Sequence, residues 1–178
     1  HSVLIACRTL PKAERAAAEM TGDVEVAHLD LADLTSVRKF ADSVQTVDVL
    51  VNNAGVFGLP LTHTVDGFET TMGTNHLGHF IVRNRLLPQL QAAPQWRVVV
   101  LTSSGYQWAP EAGIEFDNLS GERDYNPNKM YGQSKLANHL YVRQLAKNLA
   151  GTTTTANSVH PGVIMTNLGR SFPQWQQV

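Results

Sequence analysis

The hydrophobic period changes repeatedly along the chain. Short β-rich apolar runs at residues 3–6, 24–29, 47–51, 97–101 and 153–159 read as strands. Between them the apolar positions take a helical period: Ala13, Ala16, Ala17 and Met20, then Leu34, Val37, Ala41 and Val44. A third helical stretch covers about 66–87. A fourth covers about 129–149, with Leu136, Leu140 and Leu145 on its apolar side. The resulting order, β-α-β-α-β-α-β-α-β, predicts parallel strands joined by right-handed crossovers, with helices on both faces of the sheet: a doubly wound, three-layer α/β domain. Val49-Leu50-Val51 and Val98-Val99-Val100-Leu101 are almost continuously apolar, as strands covered on both faces must be. Residues 1–178 read as one domain with no internal repeat. The irregular stretch 105–128 is longer than a mere connection needs, which points to function.

Composition narrows the classes. The chain has 178 residues, 43% hydrophobic and 16% charged, with 14 basic against 15 acidic residues. That balance suits a globular domain and supplies no cationic field for nucleic acid or an anionic membrane. A single cysteine, Cys7, cannot form an internal disulfide, which points to a reducing, cytoplasmic setting. No apolar run approaches the roughly 20 residues that cross a bilayer.

Ligands of open α/β sheets bind beyond the carboxyl ends of the strands. Three strands are followed there by polar, glycine-bearing segments: Asn52-Asn53-Ala54-Gly55, Thr102-Ser103-Ser104-Gly105 and His160-Pro161-Gly162. Each alone also reads as ordinary turn chemistry. In the fourth helical stretch Tyr131 and Lys135 are four apart, on one helix face. A phenol of pKa about 10 must fall by roughly three units to trade protons near neutrality, about 4 kcal/mol. An ammonium about 4 Å away, at an effective dielectric near 20, supplies about 4 kcal/mol. A seryl hydroxyl nearby would steady the substrate oxygen.

Asn52-Asn53-Ala54-Gly55, Asn75-His76-Leu77-Gly78-His79-Phe80, the paired serines, Tyr131-x-x-x-Lys135 and Pro161-Gly162, in this order and spacing, resemble the short-chain dehydrogenase/reductase superfamily across nearly the whole chain. Ile5-Ala6-Cys7-Arg8, His28-Leu29-Asp30-Leu31 and Asp66-Gly67-Phe68-Glu69 are similar to its retinol dehydrogenase-like and WW-domain-oxidoreductase-like branch. The resemblance implies a Rossmann-type fold and hydride transfer between a nicotinamide cofactor and an alcohol or carbonyl. By it, Tyr131 handles the proton and Lys135 lowers its pKa and bonds the nicotinamide ribose. Ser104 holds the substrate oxygen, with Ser103 as the fallback, and Asn75 holds a water that relays protons behind the lysine. It also implies that Arg8, Asp30, Leu31, Asn53, Ala54 and Gly55 meet the adenosine half of the cofactor, and that Pro161, Gly162, Val163 and Thr166 lie near the carboxamide. A guanidinium at Arg8 suits a 2′-phosphate, so NADP(H) is expected over NAD(H).

The family's glycine-rich turn, which presents a helix amino terminus to the diphosphate, has no counterpart in the sequence. In the family it follows a strand lying between the first and third strands seen here. An incomplete chain is therefore expected, one that binds NADP(H) poorly by itself. The rival readings are a non-catalytic interaction domain that kept the fold and lost the phosphate loop, or a nucleotide-sugar or methyltransferase use of the same architecture. Among other features, His76 and His79 have helical spacing for a metal but lack a third ligand cluster, so no metal is expected. Asn118-Leu119-Ser120 fits a glycosylation sequon by chance. Trp96, Trp108, Tyr106, Phe116 and Met165 are candidates for an apolar pocket taking a lipophilic substrate. The two longest helical stretches are candidates for a homodimer contact.

Overall fold

The protein is described here by a computed structural model covering residues 2–162. Its elements follow the predicted alternation: β1 (Ser2–Cys7), α1 (Leu10–Ala18), β2 (Asp23–His28), α2 (Leu34–Ser43), β3 (Val49–Asn52), α3 (Thr70–Met72), a π-helical segment (Gly73–Gly78), α4 (His79–Arg85), α5 (Leu87–Ala92), β4 (Arg97–Leu101), two 3₁₀ turns (Ser104–Trp108 and Phe116–Asn118), α6 (Pro127–Asn148) and β5 (Thr155–Val159). All strand pairings are parallel. β1 lies against β2 with Val3 opposite Val24, β3 against β4 with Val51 opposite Val99, and β4 against β5 with Val99 opposite Asn157.

The strands form two sheets, β1-β2 and β3-β4-β5, rather than one. Among the described residues, β1 and β3 are not paired with each other, and their other edges carry no strand. This is where the family's glycine-bearing strand is expected. The exposure of the strands agrees: Val49 and Val51 of β3 are 51% and 54% exposed, although their sequence predicts burial on both faces. Val98 and Val100 of β4, flanked by strands on both sides, are buried as predicted. The core joins these two valines to Val37 and Phe40 of α2, Val82 of α4, Leu90 of α5, Val142 and Leu145 of α6, and Trp96.

Local chemistry sets the helix starts. Asp33 accepts hydrogen bonds from Thr35 N (2.8 Å) and Ser36 N (3.3 Å) and so caps α2. Asn126 accepts from Asn128 N and Lys129 N, and Pro127 in the first turn has no N–H to leave unpaired. The helix predicted over 66–87 differs from the prediction. Gly67, at φ +83°, turns the chain, and Asp66 accepts from Leu34 N, so the helix starts only after Glu69. It then passes through a π-helical segment and ends at Arg85, and a new helix starts at Leu87 with Pro88 in its first turn. The irregular stretch 105–128 is firmly tied to α6. The buried Gln133 accepts from Glu115 N at 2.7 Å, and Lys129 lies 3.4 Å from both Glu115 and Asp124.

Candidate active site

The site is assembled at the carboxyl ends of β3 and β4 by two helices that cross behind them. At the end of β3, Asn52 is buried and its Nδ2 has no hydrogen-bond partner among the described residues. Asn53 and Ala54 are exposed, and Gly55 turns inward. A Cβ on Gly55 would stand 3.4 Å from Asn75 Oδ1 and 3.7 Å from Lys135 Nζ, so the bare backbone of this loop lies against the asparagine and the lysine.

Asn75 sits in the π-helical segment and is wholly buried. Such bulges cluster at functional sites because they redirect side chains and backbone groups. Its Oδ1 accepts from Val56 N at 2.8 Å, and its Nδ2 donates to Val56 O at 3.0 Å and to Ser134 Oγ at 3.1 Å. Its main-chain carbonyl accepts from Asn138 Nδ2 and from the His79 ring, both at 3.1 Å. Asn75 thus clamps the loop after β3 to α6.

After β4, Thr102 donates to the Lys135 carbonyl, and Ser103 Oγ accepts from Gly105 N at 3.1 Å. The hydroxyl bonded to the Tyr131 phenol belongs to Ser103. Ser104, the first-choice serine of the sequence reading, heads the 3₁₀ turn and is exposed. Ser103 has extended backbone, at φ −159° and ψ 153°, where the chain leaves β4. Two glycines let this turn dock on α6. A Cβ at Gly105 would lie 2.9 Å from Tyr131 Cε1, and one at Gly132 would lie 2.5 Å from Ala109 N.

Tyr131 and Lys135 lie together on the buried face of α6, with the ammonium 5.6 Å from the centre of the phenol ring. Lys135 Nζ donates to Leu101 O at 3.1 Å. Burial lowers the Lys135 pKa to about 8, because the charged form loses hydration. The phenol departs from expectation. Its pKa is raised, mainly by burial, with the Ser103 hydrogen bond pulling the other way.

An aromatic wall closes one side. Phe57 packs on Tyr131 with centroids 4.3 Å apart and on Trp108 at 5.7 Å, and Trp108 stands 6.1 Å from Tyr131. Phe57 went unremarked in the sequence, although it lies two residues beyond Gly55. Trp96 is in the core under Arg83, Tyr106 stacks on His139, Phe116 is 76% exposed, and Met165 lies outside the described residues.

Arg8 is exposed immediately after β1. Asp30 accepts from Ala32 N at 2.9 Å and its own N–H donates to Ser36 Oγ. Leu31 is buried, and its carbonyl approaches Gly78 so closely that a Cβ there would stand at 2.6 Å. Pro161 and Gly162 follow β5 and are exposed; Val163 and Thr166 lie outside the described residues. His76 and His79 spend their Nδ1 atoms on Asn138 and on the Asn75 carbonyl. The sequon residue Asn118 is 4% exposed and uses its amide on Glu115 and Arg123.

The family model described as short chain dehydrogenase matches residues 1–177. Mouse retinol dehydrogenase 14 is 42% identical over 187 residues, covering 94% of this chain and 55% of the relative. Human retinol dehydrogenase 13 is 43% identical over 180 residues, covering 95% and 53%. The chain thus spans about half the length of the curated relatives it matches. A Mycobacterium paratuberculosis crystal structure superposes with a TM-score of 0.83 at 46% identity, covering 96% of this chain and 62% of that one. A metagenomic short-chain oxidoreductase in complex with NADP shares the fold alone, with a TM-score of 0.69 at 21% identity over 91% of this chain and 71% of that one. A match running through the cleft residues of β3, β4 and α6, together with relatives above 40% identity, makes this chain a member of the short-chain dehydrogenase family.

Proposed function

We propose that the protein is an NADP(H)-dependent oxidoreductase that interconverts a lipophilic alcohol and its carbonyl compound. The observation that carries this reading is the convergence of Ser103, Tyr131, Lys135 and Asn75 on one cleft, although they come from three separate elements. A phenol hydrogen-bonded to a serine, with a buried ammonium behind it, is a unit for handling one proton at a carbonyl oxygen.

The residues present fit a nicotinamide dinucleotide in part. Among the described residues the buried Lys135 ammonium donates to one carbonyl, that of Leu101, so N–H donors remain for ribose hydroxyls. Asn53, Ala54 and Gly55 offer backbone beside it, and Arg8 and Asp30 stand at the ends of the neighbouring strands. For the diphosphate the described residues offer no glycine-rich cradle: β1 runs through Arg8 and Thr9 directly into α1, with Pro11 in its first turn. When bound, the nicotinamide supplies or accepts the hydride. Tyr131 gives or takes the proton at the substrate oxygen, Ser103 holds that oxygen, and Lys135 steadies the ribose and the phenol. Asn75 keeps the loop after β3 pressed against the lysine.

Arg8 supports NADP(H), because a guanidinium matches a phosphate dianion in shape and charge. Phe57 and Trp108 support a lipophilic substrate. The reading also takes the protein to be cytoplasmic, on the argument from its lone cysteine. A homodimer through α4 and α6 is supported by Phe80 and Leu140, which are 38% and 43% exposed on those helices. The test is Tyr131→Phe in the full-length protein, assayed with NADPH and a panel of apolar aldehydes and ketones. A loss of at least about a hundredfold in kcat is expected. Unchanged turnover would remove Tyr131 from proton transfer and the reading with it.

A further inference from the structure

A side chain with no part in the reading above lies at the centre of its hydrogen bonds. Asn138, on α6 one turn beyond Lys135, is 2% exposed and makes three polar contacts to two other elements, the π-helical segment and β4. Its Nδ2 donates to Asn75 O at 3.1 Å and to Leu101 O at 3.3 Å, and its Oδ1 lies 2.9 Å from His76 Nδ1. The Leu101 carbonyl is also the acceptor for Lys135 Nζ, at 3.1 Å. The orientation of the amide follows from chemistry. Main-chain carbonyls only accept, so the NH₂ group must face Asn75 and Leu101. Oδ1 then faces His76, whose Nδ1 must carry the proton. Phe80 and Tyr141 pack around the His76 ring, with centroids 5.9 and 6.3 Å away, and hold it in place.

We propose that Asn138 is a positioning residue: by bonding the Asn75 and Leu101 carbonyls with one amide, and anchored outward by His76, it sets where the Lys135 ammonium stands relative to the π-helical segment and the end of β4. Leu101 lies two residues before Ser103, so the same amide registers the serine against the lysine. Burial alone would be served by any side chain of this volume. Only an amide supplies two donors inward and one acceptor outward.

The contacts stand on their own, and the proposal rests on the proposed function only for the meaning of Lys135 as a catalytic group. It is tested by NMR on the full-length protein without added ligand. In the wild type the His76 ring nitrogens should show the Nδ1–H tautomer, and the Asn138 NH₂ protons should exchange slowly. Asn138→Leu keeps the volume and removes every polar contact. In it, His76 should turn to the Nε2–H form common for free imidazole, and the Lys135 side-chain titration midpoint should move by about half a unit or more. A lower melting temperature with both readouts unchanged would reduce Asn138 to core packing and overturn the proposal. If Asn138→Leu does not fold, the half-buried His76 provides the second arm. His76→Phe should speed exchange of the Asn138 NH₂ about tenfold or more, and His76→Asn, which keeps a donor near the Nδ1 position, should restore it. Equal exchange in wild type and His76→Phe would overturn the proposal. None of these readouts needs turnover, so a failed Tyr131→Phe test sinks the oxidoreductase reading without touching this one.

Discussion

Replacing Lys135 by methionine tests whether the site holds a desolvated ammonium. Met matches the length of the lysine stem and carries no charge. In the folded chain the Lys135 pKa is lowered from 10.5 to about 8 by burial. Below pH 8 the fold therefore holds a cation that the unfolded chain keeps in water, at a cost of about 3 kcal/mol. As the pH rises from 8 towards 10.5, the folded protein gives up a proton that the unfolded chain retains, so wild-type stability rises. The gain is about 2 kcal/mol between pH 8 and 10. Above pH 10 the tyrosines oppose it. The Tyr131 pKa is raised and that of Tyr125 is pushed up to about 12, so both contributions are lost as the pH climbs past their unfolded values. The assay is urea unfolding followed by circular dichroism at pH 7, 8, 9 and 10, for wild type and Lys135→Met. Exposed lysines titrate alike in both chains and cancel in the difference. The variant should be the more stable at pH 7, and its advantage should shrink by about 2 kcal/mol by pH 10. A difference constant to within about 0.5 kcal/mol over that range would refute the burial argument.

His79 gives the acid-side counterpart. Burial pushes its pKa down to about 4, so between pH 6.5 and 4 the unfolded chain takes a proton that the fold refuses, and stability falls by about 3 kcal/mol; melting temperatures of His79→Leu should show a flatter acid slope, and parallel slopes would contradict this. Gly132→Ala puts a Cβ 2.5 Å from Ala109 N, so the turn bearing Ser103 and Trp108 must shift off α6; a loss of about 1–3 kcal/mol in chemical denaturation is expected, and a neutral result would mean the packing is looser than drawn. Arg8→Ala in the full-length protein should raise the KM for NADPH about tenfold and leave that for NADH nearly unchanged, because a charge-assisted contact to phosphate is lost; equal effects on both would remove Arg8 from cofactor selection.

The edges of β1 and β3, unpaired among the described residues, show how far a linear pattern reaches. Val49 and Val51 belong to a run that reads as buried on both faces, and β3 does form there, yet both valines stand half exposed because β1 and β3 have no strand between them among the described residues. The pattern identified the strand correctly, while its burial depended on a neighbour. The helix over 66–87 failed for a related reason. Its residues favour helix, but Gly67 in a positive-φ turn and the Asp66 carboxylate bonded to Leu34 N delay the start, and Pro88 begins a new helix at the far end. Neither Phe57 nor Asn138 was singled out. A signal for Asn138 existed, an amide among the small and apolar residues of a buried helix face, but the pattern could not say which carbonyls it meets.

By itself the sequence determined what depends on neighbours a few residues apart: the alternation of strand and helix, the parallel pairing this forces, and the presence of Tyr131 and Lys135 on one face of α6. Helical period and hydrogen bonding along the chain suffice for these. The tertiary structure decided that Ser103 is hydrogen-bonded to the phenol, that burial raises the phenol's pKa, and that the Asn75 side chain ties the loop after β3 to α6. Those outcomes depend on partners distant in sequence, as in the bond of Asn75 to Ser134, 59 residues away. Desolvation and hydrogen-bond geometry are properties of the packed assembly, and local periodicity carries no information about them.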